Sequence, residues 1–436
     1  LNSEFKGKKI WLQAMGCRTN LYEADALACE LMSMGADITD SIEEADAAVL
    51  NTCTVTSTAD RKVRQLIRRA KRINPSIFLV VCGCWAQRVS EKYASETGAD
   101  LLVGNRMKSR IPGMIGSFFR NEPVGGSIKE DVMRSQVWDD LFMSSPVLHT
   151  RAFVKVQDGC SHFCSYCIIP YVRGRSVSRP SQDVEKEVRK LVDSGTTEVI
   201  LTGVHLGIYR DESGVDLAGL LRRISRIEGV ERIRFGSIEP FTLKEELLSA
   251  MAGSPVFCPH LHIPLQSGDD EILASMRRGY SSSGFLNVLE KARTFLGEDV
   301  HISSDVMVGF PGEENKAFLN TIKVMEKAGF GKVHVFPFSA REGTPAFNFS
   351  GVVDSREIHR RVDLTIETGK TLLDGFGRSF LGREMEVLIE RSGPHAHGLI
   401  SRFLRVKFDT DNIPGSFQKV KLLSFDGEIF EGVQVK

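Results

Sequence analysis

From residue 152 to residue 375, short apolar, β-branched runs alternate with longer segments of helical period, and the alternation repeats six times. Strands are predicted at 152–157, 198–203, 232–238, 260–265, 301–308 and 332–338, and helices at 182–194, 216–228, 242–252, 283–297, 314–328 and 355–375. Few architectures accept such a series. Each strand is followed by a crossover helix, so successive strands lie parallel, and right-handed crossovers carry the chain steadily round one sheet. The predicted product is a partial (β/α)6 barrel whose functional loops lie at the carboxyl ends of the strands.

The loop after the first of these strands carries the most chemistry: Gln157-Asp158-Gly159-Cys160-Ser161-His162-Phe163-Cys164-Ser165-Tyr166-Cys167-Ile168-Ile169-Pro170. Its C-x3-C-x2-C spacing lets one loop wrap three thiolates round a small soft-metal centre. Iron–sulfur clusters are ordinarily closed by four cysteines, so a set of three leaves one iron without a protein ligand. A zinc loop is the competing reading. Tyr166 before the third cysteine, the apolar turn after it and the lack of an adjacent fourth Cys or His pair favour the cluster. Other strand ends carry Thr202-Gly203-Val204-His205, Ser237-Ile238-Glu239-Pro240, Pro264-Leu265-Gln266-Ser267-Gly268 and Gly309-Phe310-Pro311-Gly312. Each alone makes an ordinary turn, and their common edge is what marks them. His205 and His301 are read as hydrogen-bonded strand-end residues rather than as acid–base catalysts.

Upstream, residues 8–105 read as a small parallel α/β unit with strands at 10–14, 47–50 and 77–81, a helix over 21–34 capped by Asn20, and a second helix over 58–73. Cys17, Cys53 and Cys84 each fall just past the carboxyl end of a strand, the edge where ligands of open parallel sheets gather. Three ordinary buried cysteines are the bland alternative. The repeated placement favours a second iron–sulfur centre, again one ligand short. Cys29, Cys82 and Cys258 lack this context and read as packing residues. The helix over 58–73 carries Arg61, Lys62, Arg64, Arg68, Arg69, Lys71 and Arg72 against the single acid Asp60. It is either a solvated face or a steering surface for a polyanion, with Arg61, Arg64 and Arg68 as candidate RNA contacts. Arg173, Arg175 and Arg179, just past the cysteine loop, are candidate phosphate contacts on the same terms.

Composition sets bounds. The 436 residues are 42% apolar, enough for two or three domains. Fifty-six Lys and Arg balance fifty-six Asp and Glu, so binding of a polyanion must rest on local patches. Nine cysteines, no signal pattern and no apolar run long enough to span a bilayer predict a cytoplasmic protein with no membrane partner. Residues 106–148 read as a connecting segment with one short helix. From Gly382 short alternating runs at 384–389, 398–408, 417–423 and 429–435 predict a small antiparallel barrel. The predicted domains are 8–120, 149–378 and 379–436.

The cysteine loop resembles that of the radical S-adenosylmethionine (SAM) enzymes. Together with Gly16-Cys17-Arg18-Thr19-Asn20, Asn51-Thr52-Cys53 and Gly83-Cys84, and with a TRAM-like terminal barrel, it makes nearly the whole chain similar to the methylthiotransferase family. The resemblance implies two [4Fe-4S] clusters, on Cys160, Cys164 and Cys167 and on Cys17, Cys53 and Cys84, with SAM on the open iron of the first. It implies SAM contacts from Thr202, Gly203, Ser237, Glu239 and Gln266, a reducing donor such as flavodoxin or ferredoxin, and RNA binding by the barrel. In that family a SAM-derived radical removes hydrogen from an unreactive carbon, the second cluster supplies sulfur and a second SAM the methyl group. Asn51-Thr52-Cys53-Thr54-Val55-Thr56 and Ala59-Asp60-Arg61-Lys62 look most like the branch that modifies N6-threonylcarbamoyladenosine beside the tRNA anticodon. Isopentenyladenosine in tRNA and an aspartate of a ribosomal protein are the alternatives within the family, and Arg18-Thr19 departs from the last. A non-catalytic iron–sulfur carrier or RNA-binding scaffold is the alternative of another class. Phe336 and Phe338 stand where many relatives carry Tyr.

Overall fold

The computed structural model describes residues 5–435 and divides the chain into two compact units. The first takes in the chain to Ser194 together with Thr202–His205 and Ser339–Thr344, and the second holds the remainder.

In the first unit the chain runs β1 (Lys9–Ala14), α1 (Arg18–Ser33), β2 (Asp37–Thr39), β3 (Ala47–Thr52), α2 (Ser57–Ile73), β4 (Phe78–Gly83), α3 (Cys84–Arg88), α4 (Glu91–Thr97), β5 (Leu101–Val103), α5 (Ile111–Phe119) and β6 (Gly126–Ile128). The six strands form one parallel sheet in the order β2-β1-β3-β4-β5-β6. β3 and β4 are buried at every residue, as strands covered on both faces must be, and their sequences are accordingly near-continuous apolar runs. Val63, Ile67 and Ala70 of α2 pack with Leu50, Leu79 and Val81 of the sheet, which leaves the arginines of that helix outside. β6 and α5 lie in the stretch read from sequence as mostly connecting. Three-residue strands are too short to register as a period.

One cap is corrected. α1 starts at Arg18 with Cys17 as its N-cap, not at Leu21 with Asn20. Asn20 lies inside the helix with its side chain buried, where Nδ2 donates to Met15 O (2.5 Å) and Thr52 O (3.0 Å) and so ties the ends of β1 and β3 together. The unit continues through β7 (Ala152–Lys155), β8 (Gln157–Asp158), α6 (Ile169–Arg173), β9 (Val177–Ser178) and α7 (Ser181–Asp193). β8 and β9 pair antiparallel and pinch the base of the cysteine loop.

The second unit holds β10 (Glu198–Thr202, its last residue counted with the first unit), α8 (Leu217–Ile224), β11 (Arg232–Phe235), α9 (Glu245–Ala252), β12 (His260–His262), α10 (Asp270–Ser275), α11 (Ser282–Leu296), β13 (His301–Val308), α12 (Asn315–Ala328), β14 (Lys332–Pro337) and α13 (Ser355–Arg378). Neighbouring strands run parallel in chain order, with β11 and β12 joined through the bridges Ile233–Phe257 and Ser237–His262. Every strand and helix of the predicted alternation is present. α10 is additional, and at six residues it is too short to show a helical period.

The terminal barrel is closed by five strands rather than the four runs read from sequence: β15 (Glu384–Arg391), β16 (Gly393–Ile400), β17 (Arg405–Thr410), β18 (Phe417–Phe425) and β19 (Ile429–Gln434). A tight turn with Phe403 at φ 60° splits the run predicted over 398–408 in two. The barrel is antiparallel except where β17 meets β19. A closed ring with an odd number of strands cannot alternate direction throughout, so one parallel neighbour is unavoidable. Arg232 and Arg234 of β11 donate to the carbonyls of Glu386, Leu399, Ile400 and Ser401, and Glu198 faces both guanidinium groups.

A candidate two-centre metal site

The order of the first sheet puts β1, β3 and β4 side by side, with Ala14 opposite Asn51 and Thr52 opposite Gly83. Cys17, Cys53 and Cys84 therefore emerge from three adjacent strand ends on one edge. Glycines make this approach possible. Gly16 and Gly83 have φ of 97° and 93°, and a Cβ on Gly16 would lie 2.7 Å from Cys53 Cβ. Burial pushes the Cys53 thiol up to about 12, with the neighbouring Cys84 and Cys17 sulfurs adding to the rise. Burial likewise raises Cys84, and the Arg173 guanidinium beside it pulls the other way. The three sulfurs share one electrostatic environment.

The second trio sits on a constrained loop. Gly159 has φ 70°, and a Cβ there would strike Arg175 O at 2.2 Å. Cys160 N donates to Gly174 O (3.0 Å), Cys167 N to Cys164 O (3.0 Å) and His162 N to Cys160 Sγ (3.4 Å). Gln157 is the hub: its Nε2 donates to Gly159 O and Ser176 Oγ, while its Oε1 accepts from His205 N at 2.7 Å. Gly203 is small for the same reason, since a Cβ there would meet Gln157 Oε1 at 2.8 Å. His205 Nδ1 lies 3.6 Å from Cys160 Sγ. The two trios meet through one short helix, because Cys84 packs against Ile168, immediately after Cys167, and against Val172 within α6.

Beneath both trios lies a buried ion network that sequence reasoning missed. Arg173 NH1 donates to Glu23 (3.1 Å) and Asp158 (2.9 Å), and NH2 donates to Asn20 Oδ1 (2.6 Å). Lys155 and Lys108 complete the shell of Glu23 at 3.1 Å each. Burial works against the Glu23 carboxylate, but Arg173, Lys108 and Lys155 together hold it well below the usual range. Arg173 was a candidate phosphate contact, and the structure corrects this: it is 1% exposed and committed to this network. Arg179, equally buried, pairs with Glu187 and Tyr22. In sequence, both look like the surface arginines that surround them. Arg175, Arg61 and Arg68 are exposed and Arg64 is half-buried.

Asp60 is not the solitary counter-charge on α2 that its sequence context suggests. Its carboxylate takes Thr54 Oγ1 (2.5 Å), Arg88 (3.0 Å) and Arg341 (2.6 Å), bracing the loop that carries Cys53. Cys82 and Cys258 are buried packing residues and Cys29 lies 3.0 Å from Ser144 Oγ.

In the second unit Ser237 is half-buried at its bridge to His262, Glu239 pairs with Arg278, and Gln266 holds φ 63° between Asp305 and Met307. Beside them His262 is hydrogen-bonded by Asp305 (3.1 Å) and Ser303 (2.9 Å), a cluster whose members no sequence spacing linked. His301 is held by Arg402 O at 2.5 Å, in keeping with a structural strand-end role.

Family models match residues 9–104 (Uncharacterized protein family UPF0004) and residues 154–325 (Radical SAM superfamily). The chain is 35% identical over 437 residues to the threonylcarbamoyladenosine tRNA methylthiotransferase MtaB of Bacillus subtilis, covering 98% of this chain and 96% of that protein. The protein of the same name from Chlamydia pneumoniae is 38% identical over 93% and 92% of the two chains. This chain belongs to the radical SAM methylthiotransferase family. A further member, the tRNA-2-methylthio-N(6)-dimethylallyladenosine synthase of Syntrophotalea carbinolica, is 33% identical over 90% of each chain. Among solved structures, the radical SAM methyltransferase TsrM of Kitasatospora setae is similar in fold, with TM-score 0.57, 13% identity and coverage of 78% and 77%.

Radical SAM membership implies a [4Fe-4S] cluster and SAM. The donors present bear on whether the two cysteine trios fit an iron–sulfur centre. Among the described residues no three His, Cys, Asp or Glu side chains form a ligand set for a single metal ion, whereas a cluster distributes its thiolates over separate irons. Arg173 Nε is buried with no hydrogen-bond acceptor among the described residues, and the Arg173 side chain reaches the Cys84 sulfur. A buried donor on a side chain that already reaches a cysteine sulfur suits an anionic sulfur centre. The donor set therefore fits. No helix among the described residues is long and apolar enough to cross a membrane.

Proposed function

We propose that this methylthiotransferase places a methylthio group at C2 of N6-threonylcarbamoyladenosine beside the tRNA anticodon. The observation that carries the reading is the near end-to-end likeness to two proteins named for threonylcarbamoyladenosine. Cys160, Cys164 and Cys167 would hold one [4Fe-4S] cluster and Cys17, Cys53 and Cys84 a second, each with one iron left without a protein ligand. When bound, these groups supply the electron that cleaves SAM and the sulfur that is transferred, chemistry that acid–base side chains do not provide at an aromatic carbon.

The chain's own residues bind, orient and shield. Gln157 locks the cysteine loop to Thr202–His205. Asp60, Arg341 and Thr54 brace the Cys53 loop, and fixed placement of reacting groups is worth orders of magnitude in rate. Thr202, Gly203, Ser237, Glu239 and Gln266 hold SAM. Arg61, Arg64, Arg68 and Arg175 contact tRNA phosphates, with the terminal barrel as a second RNA-binding element. Reduced flavodoxin or ferredoxin is the electron source, and the cytoplasm the site of action. Residues 8–120, 149–378 and 379–436 are the corresponding domains.

Mass spectrometry of tRNA nucleosides from a deletion strain tests the substrate. Loss of the 2-methylthio form of threonylcarbamoyladenosine is the expected result. Loss from isopentenyladenosine instead would transfer the chain to the third relative's activity, and an unchanged profile would turn attention to a ribosomal-protein aspartate. After anaerobic reconstitution, about eight irons per chain are expected. Replacing Cys17, Cys53 and Cys84 by Ala should leave about four, with SAM cleavage retained and methylthiolation lost.

A further inference from the structure

Arg173 stands six residues past Cys167, yet its guanidinium serves the other trio. Its NH1 and NH2 groups are taken up by Glu23, Asp158 and Asn20. Nε is fully buried with no acceptor among the described residues, and the guanidinium as a whole reaches the Cys84 sulfur, on which it acts by charge and by a side-chain hydrogen bond. A buried N–H without a partner is destabilising, and an anionic sulfur centre held by Cys84 would supply an acceptor beside it. Two amides extend the arrangement. Asn105 Nδ2 lies 3.6 Å from Cys84 Sγ and donates to Val172 O at 2.7 Å. Asn20 Oδ1 sits 3.9 Å from Cys17 Sγ and accepts from Arg173 NH2 at 2.6 Å. Around them Lys108 and Lys155 face Glu23, Lys155 also faces Asp158, and the Lys108 backbone N–H donates to Asp139, so the network is close to balanced and is not merely a reservoir of positive charge.

Hydrogen bonds to sulfur are among the factors that set the potential of an iron–sulfur centre. They stabilise the more negative, reduced state and raise the potential. Charge-assisted bonds from a guanidinium in a buried site act most strongly, because little water screens them. We propose that Arg173, together with Asn105, donates hydrogen bonds to the sulfur ligands of the Cys17–Cys53–Cys84 centre and sets its reduction potential. Arg173 is thus a positioning residue for the sulfur-donor centre, delivered by the helix that closes the SAM-side loop. This rests on the two-centre reading above.

The test uses the full chain with Cys160, Cys164 and Cys167 replaced by Ala, reconstituted anaerobically with iron and sulfide, so that only the N-terminal centre loads. Iron is counted, and the potential is measured by redox titration followed by electron paramagnetic resonance. Arg173→Lys keeps the charge facing Glu23 and Asp158 but removes Nε. Asn105→Leu is close in volume, adds no charge and removes the donor to Cys84. Each is expected to retain about four irons and to shift the reduction equilibrium about tenfold toward the oxidised form, about 59 mV for one electron. Two variants guard against a failure of either to fold. An unchanged potential with iron retained overturns the inference, because a merely structural role would leave it there. A parent chain that binds no iron defeats the two-centre reading itself, and the inference with it.

Discussion

The absence of a single Cβ, or a guanidinium turned inward, shapes much of this site. Arg173 and Arg175 are two residues apart in the same basic stretch, yet one is buried among carboxylates and the other is exposed. Arg173 is the last residue of a five-residue helix and Arg175 lies in the bend beyond it. Such segments are too short for a period to show which side chain turns in, so sequence reasoning treats them alike. Gly159 is the clearest case of backbone necessity. Its φ of 70° disfavours any side chain by about 1–2 kcal/mol, and a Cβ would meet Arg175 O at 2.2 Å, with Gly174 O at 2.7 Å. Gly159→Ala should therefore lower the melting temperature and reduce iron loading at the Cys160–Cys164–Cys167 trio while leaving the N-terminal trio loaded. Iron counts in the two triple-cysteine backgrounds would separate those effects.

His301 illustrates a residue-scale group with a consequence for pH. Burial holds it neutral down to about 4, against an ordinary value of 6.5, although its bond to Arg402 O opposes that shift. Between those two values the unfolded chain binds a proton that the folded chain refuses. Stability contributed by the neutral ring is thus complete above the unfolded value and lost as the pH falls toward 4. The loss is about 3 kcal/mol at about 1.4 kcal/mol per pH unit. Calorimetry from pH 7 down to pH 4.5 should reveal an acid limb that His301→Asn flattens.

Among the elements, β11 and α2 use arginine in opposite ways. β11 is buried at all four residues, and its two arginines thread to the barrel carbonyls while facing Glu198. Arg234→Met removes two carbonyl contacts and the 2.8 Å partner of a buried carboxylate, so a loss of about 3 kcal/mol is expected, read by denaturant titration. α2 instead buries only an apolar stripe and Asp60, leaving Arg61 and Arg68 in solvent. Its amphipathic period was legible from sequence because a helix that packs on one face must repeat every three to four residues. The brace formed by Asp60 with Arg341 was not legible. The two residues are 281 positions apart, and no local pattern encodes such a pair.

For the molecule as a whole, charge is balanced and any attraction for tRNA must come from such faces. Arg61→Glu with Arg68→Glu should weaken tRNA binding and reduce the salt dependence of affinity by roughly one per lost phosphate contact. The melting temperature should stay unchanged, since neither side chain packs in the core. Filter binding across a salt series reads both quantities, and an unaltered slope would remove α2 from the RNA surface.

The order of strands and helices, the cysteine spacing and the placement of Cys17, Cys53 and Cys84 at strand ends were written in the chain itself. They follow from local rules: period, turn chemistry and the parallel course that crossover helices impose. What only the tertiary structure decided is which strand ends are neighbours, that Cys84 rests on the helix after Cys167, and that Arg173 turns inward to Glu23 and Asp158. These depend on burial and on partners far apart in the sequence, and a charged residue has no local signature for either.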